Sequence, residues 1–74
     1  MSKQDALAEA ITQDIIAFIM EDGDMELDAA MNLFYNSMTF DKLQDKDTGL
    51  YLEGSAYVYE FFKEEQNGVA LNVN

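Results

Sequence analysis

Leu7-Ala8-Glu9-Ala10-Ile11-Thr12-Gln13-Asp14-Ile15-Ile16-Ala17-Phe18-Ile19-Met20 carries Leu7, Ile11, Ile15, Phe18 and Ile19 at spacings of four, four, three and one. That repeat marks one face of an α-helix, since a strand would alternate every second residue. Ala10, Ile16, Ala17 and Met20 widen the stripe, and Gln4, Glu9, Gln13 and Asp14 make the polar side. Upstream, Ser2 and Asp5 resemble a capping box with Asp in the usual Glu position. An acid in the first turn also suits the helix dipole. The spacing predicts a helix from Ser2 to Glu21, with Gly23 as its stop.

Beyond it, Glu21-Asp22-Gly23-Asp24 reads as a turn. A second helix is predicted over Glu26 to Asn36, with Leu27, Ala30, Met31 and Phe34 inward and Tyr35 at the edge of that face. Asn36-Ser37 breaks it, and Thr39 is the expected N-cap of a short third helix ending near Gln44. Asp45-Lys46-Asp47-Thr48-Gly49 has turn composition. Leu50-Tyr51-Leu52 fits neither period. A last helix is predicted from Ser55 to Gln66, ending at Asn67-Gly68. Its segment Ala56 to Phe62 is rich in strand formers, so a hairpin with Leu50 to Leu52 is the alternative. Adjacent Phe61 and Phe62, which spoil alternation, favour the helix. The fold class expected is all-α, a small bundle of about four short helices. It forms one domain over residues 1–68, with a frayed tail over 69–74.

A chain of 74 residues buries only about 60% of its unfolded surface, so extra burial helps. Cys and His are absent, which excludes a disulfide and a structural zinc site. A partner or a second copy is the remaining source. Helix 1 points the same way. Ile15, Ile16, Phe18, Ile19 and Met20 cannot share one direction, so a homodimer is expected unless neighbouring helices surround it. A hydrophobic fraction of 49% is too high for a disordered acidic tail. Eight of the nine aromatics lie after position 33, which assigns much of the bulky packing to the second half.

Fifteen acidic residues against four lysines give a net charge of −11. Lys3, Lys42, Lys46 and Lys63 are scattered, which argues against nucleic acid and anionic membranes and for partners with a basic surface. Nothing approaches the roughly 18 apolar residues of a membrane span. Met1 to Glu9 lacks the basic start of a signal peptide, so a cytoplasmic location is expected.

Each candidate site has a plainer reading. Asp45 and Asp47 begin like a calcium loop, but Gly49, Leu50 and Ala56 stand where a ligand, the glycine and the closing Glu belong. A turn whose carboxylates cap backbone amides fits better. Glu21, Asp22, Asp24, Glu26 and Asp28 read as solvated acids around a helix start rather than a cation site. Ser2, Ser37 and Ser55 have no His to activate them, and paired carboxylates need a pocket to work as acid and base. No catalytic, metal or cofactor residue is therefore assigned. Tyr57 and Tyr59 are about 200° apart on a helix, so one of them faces solvent or an interface.

Phe34-Tyr35-Asn36-Ser37, Phe40, Leu43, Asp47-Thr48-Gly49-Leu50-Tyr51, Ser55 and Tyr57-Val58-Tyr59-Glu60 together resemble a family of short, acidic, uncharacterised proteins of Gram-positive bacteria and their mobile elements. Helix 1 and Ala29-Ala30-Met31 fit the same pattern. The resemblance implies a helical intracellular regulator or accessory protein of antitoxin type, and it carries no catalytic residue. Tyr35, Asn36, Tyr51, Tyr57 and Tyr59, with Thr48, are the positions it singles out for interaction. Their plainer role is to fix the connection from helix 2 to helix 4.

The sequence thus leads to a non-enzymatic protein–protein interaction module, with acids steering encounter and aromatics supplying affinity. The alternative is an acidic DNA-mimic decoy, which would need carboxylates in two rows at phosphate-like spacing.

Overall fold

The Ser2 hydroxyl accepts a hydrogen bond from the Asp5 backbone N–H at 3.1 Å. This starts α1, Lys3–Gly23, in the computed structural model of the protein, which describes residues 2–68. The predicted tail, residues 69–74, lies outside the described residues. At its other end α1 runs through the expected stop. Gly23 is its last residue, and Asp24 adopts the left-handed conformation, with φ 50° and ψ 49°. Asp tolerates that region through its short polar side chain. A Cβ at Gly23 would come within 2.9 Å of Met25 Cε, the free end of a flexible side chain that can move aside.

Helix α2, Leu27–Tyr35, buries Ala30 and Phe34 completely. Leu27 is 51% exposed, against the expectation that it faces inward. Ala30 and Phe34 define the face held against α1, and Leu27, Met31 and Tyr35 form a second stripe beside it. Helix α3, Met38–Gln44, is capped by Ser37 and not by Thr39. The Ser37 hydroxyl accepts from Phe40 N–H at 3.0 Å and donates to the Phe34 carbonyl at 2.6 Å, joining the end of α2 to the start of α3. Thr39 is fully buried inside the helix.

Two 3₁₀ turns follow, Lys46–Thr48 and Leu50–Leu52, which resolves the stretch that fitted neither period. Gly49 joins them with φ 69°. Helix α4, Ser55–Gln66, has the predicted bounds. Its N-cap is Gly54, whose φ 89° and ψ 162° only glycine adopts readily. The hairpin alternative fails, since no strand occurs among the described residues. Val58 and Phe62, one helical turn apart, are both buried, which is the burial pattern of a helix.

Over the described residues the protein is therefore a small all-α bundle of four helices. Helix α1 is its centre and packs against α2, α3, α4 and the second 3₁₀ turn. Its buried face is Ala8, Ile11, Thr12, Ile15, Ile16 and Ile19, so the expected stripe is rotated. Leu7 is 40% exposed and Ala8 replaces it. Contact from several sides buries Ile15, Ile16 and Ile19, while Ala10 and Ala17 of the same stripe stay exposed. Around it runs an unbroken line of aromatic rings. Tyr35 meets Phe40 at 5.0 Å, Phe40 meets Phe34 at 5.5 Å, and Phe34 meets Phe62 at 5.4 Å, all edge-on. The line continues from Phe62 to Tyr59 and from Tyr59 to Phe18. Five of these six rings lie after position 33, as their clustering in the sequence suggested.

Candidate functional site

Helix α4 is fixed to the rest of the chain by polar contacts that the sequence pattern only half reveals. The Glu65 carboxylate accepts from Met38 N–H at 2.8 Å, from Thr39 N–H at 2.9 Å and from the Thr39 hydroxyl at 2.8 Å. A side chain from the end of α4 thus caps the start of α3, satisfying amides that no preceding turn can reach. The clue in the sequence is an acid at the helical spacing of Val58 and Phe62. The Ser55 hydroxyl donates to Asp14 at 2.6 Å, tying the start of α4 to α1. Among the described residues no buried side-chain polar atom lacks a hydrogen-bond partner.

The five tyrosine and asparagine candidates fall into different environments. Tyr59 packs on Phe18, and its hydroxyl donates to Asp22 at 2.7 Å. Burial, then the hydrogen bond to the Asp22 carboxylate, push its phenol up to about 12. The Lys63 ammonium lies 5.0 Å from the Tyr59 ring centroid and pairs with Glu60 at 2.9 Å, which holds the amine above its ordinary value. Tyr51 is half-buried against the core. Asn36 turns its amide back onto Asn32, donating to the carbonyl at 2.7 Å and to Oδ1 at 3.0 Å. Thr48 is a local joint, donating to the Lys42 and Asp45 carbonyls and accepting from Leu50 N–H. Tyr35 and Tyr57 are exposed, and they line separate grooves.

Tyr57 borders a groove with Lys42, Thr48, Leu50, Glu53 and Phe61. Tyr35 forms a wall between two others. One, of about 490 Å³, is lined by Asp5, Glu9, Thr12, Phe40 and Gln44. The second, of about 280 Å³, lies between α1 and α2 and is lined by Gln13, Ile16, Ala17, Met20, Leu27 and Met31. The sequence placed Leu27 and Met31 on the inner face with Tyr35 at its edge; Leu27 is half exposed instead, while Met31 packs partly buried against the core. Whether a four-residue stripe faces the core or the solvent depends on where the neighbouring helix lies.

The acids are equally dispersed. Asp45 accepts from Asp47 N–H at 3.0 Å, the plain turn-capping role. No group of three or more carboxylates able to hold a metal occurs among the described residues. Asp5 pairs with Lys46 at 3.4 Å. Hydrogen bonding by Ser2 and then the Lys46 charge hold its carboxyl below the usual range. No helix among the described residues is long and apolar enough to cross a membrane. In comparison with known proteins, the chain matches no family model, no curated protein and no solved structure.

Proposed function

We propose that the protein is a non-enzymatic protein-binding module of the cytoplasm whose partner presents a basic surface. One observation carries this reading. A chain of net charge −11 pairs only two carboxylates, Asp5 and Glu60, with lysine among its described residues. It also leaves large apolar side chains, Leu27, Tyr35, Met38 and Tyr57 among them, half or nearly half exposed. Unpaired acids steer a basic partner into encounter, and exposed apolar anchors supply the contact that holds it. The phenol of Tyr59, the group most displaced from its ordinary protonation, is packed against Phe18 and bound to Asp22, a structural arrangement and not a reaction site.

An antitoxin-like or regulatory accessory protein, the role implied by the resemblance to short acidic bacterial proteins, is one concrete form of this function. Affinity capture from the native host followed by mass spectrometry tests it. The expected result is a stoichiometric protein partner rich in surface Lys and Arg, released as salt rises. Capture of DNA-binding proteins through their nucleic-acid grooves would favour the decoy instead. Turnover of a small molecule by the pure protein would overturn both readings.

A further inference from the structure

We infer that the groove between α1 and α2 is the docking face, and that its occupant is one amphipathic helix of the basic partner. This rests on the protein-binding reading above and adds where and how the contact is made. The groove is apolar along its length, through Ile16, Ala17 and Met20 on α1 and Leu27 and Met31 on α2. Gln13 to Met20 spans about 10 Å at 1.5 Å per residue, and Leu27 to Tyr35 about 12 Å, so the trough matches roughly two turns of a helix. Two flexible methionines in its wall let it adapt to the side chains it receives.

Charge selects the occupant. Past the Tyr35 wall lies the groove lined by Glu9 and by Asp5, the latter already paired with Lys46, and at the Met20 end Asp24 and Glu26 form the exposed connection to α2. No lysine lines either groove, whereas Lys42 lines the groove at Tyr57. A helix with an apolar stripe and Lys or Arg about four turns apart places each cation against one acidic end. A second copy of this chain would bring acids against acids, which costs affinity.

The test uses two synthetic helical peptides with the same leucine stripe, one ending in Arg at both ends and one ending in Glu. Each is titrated into the isotope-labelled full chain by NMR. The Arg-ended peptide is expected to bind saturably, shifting Ala17, Met20, Leu27, Met31 and Tyr35. Leu27→Asp, in an exposed first-turn position where an acid suits the helix dipole, should retain the fold and weaken binding about tenfold or more. Shifts centred on Lys42, Tyr57 and Phe61 would overturn the inference. So would equal binding of the two peptides, or binding of neither. A dimer in light scattering that Leu27→Asp dissolves would assign the groove to a second copy and also overturn it. A captured basic partner that binds Leu27→Asp as tightly as wild type would remove this docking face and leave the protein-binding reading standing.

Discussion

Tyr57 and Tyr59 sit two residues apart and do different work. The helical rotation between them, legible in the sequence, puts one ring outward and one against α1. Which ring goes where depends on Phe18 and Asp22, far away in the chain, so spacing alone left it open. Tyr59→Ala should lower the melting temperature clearly, while Tyr57→Ala should leave it nearly unchanged; thermal denaturation of both variants checks this. The Tyr59 phenol also gives a pH test. Its ordinary value is 10.0 and the fold raises it to about 12. A raised value means that the native state holds the proton more tightly. The contribution to stability is therefore intact below pH 10 and is lost as pH rises from 10 to about 12. The tyrosinate absorbance that disappears in Tyr59→Phe should titrate near 12, and Asp22→Asn should bring it down. Glu65 is the other decisive residue. Glu65→Ala leaves the amides of Met38 and Thr39 without their acceptor and should cost about 1–3 kcal/mol in chemical denaturation. Its role was only partly readable, because a carboxylate at an apolar spacing announces a buried contact without naming its partner.

At the scale of elements, the start of α1 at Ser2 and the span of α4 follow from local signals and were readable. The misplacements have physical causes. Gly23 and Asp24 both tolerate a left-handed backbone, so composition alone does not say which one ends the helix, and Asp24 takes that position. Ser37 and Thr39 are both good caps, and the bond from Ser37 back to the Phe34 carbonyl selects Ser37. Leu7 gave way to Ala8 because α1 packs against three helices, which bury a face turned from the one its strongest apolar residues mark. The helix and hairpin readings of residues 50–62 are separated by Gly54. Its backbone turns the chain between the second 3₁₀ turn and α4. Gly54→Ala should cost about 1–3 kcal/mol although its Cβ would meet no atom within 4 Å. For a domain of this size that is a fall of several degrees in melting temperature.

The described residues measure 32 × 31 × 19 Å, about two helix layers thick, which gives two broad faces and little interior. That shape suits a chain that presents surfaces. Its charge makes stability depend on salt, since mutual repulsion of the acids is screened as ionic strength rises. The melting temperature should therefore increase with sodium chloride. Millimolar calcium should add nothing beyond its ionic strength, because Asp45 already serves the Asp47 amide.

The most direct measurement is the affinity of Leu27→Asp for the captured partner, by calorimetry, beside its melting temperature. A variant that melts like wild type and binds about tenfold or more weakly is the predicted outcome. Undiminished binding by this well-folded variant would contradict the claim that the apolar trough between α1 and α2 is where the protein acts.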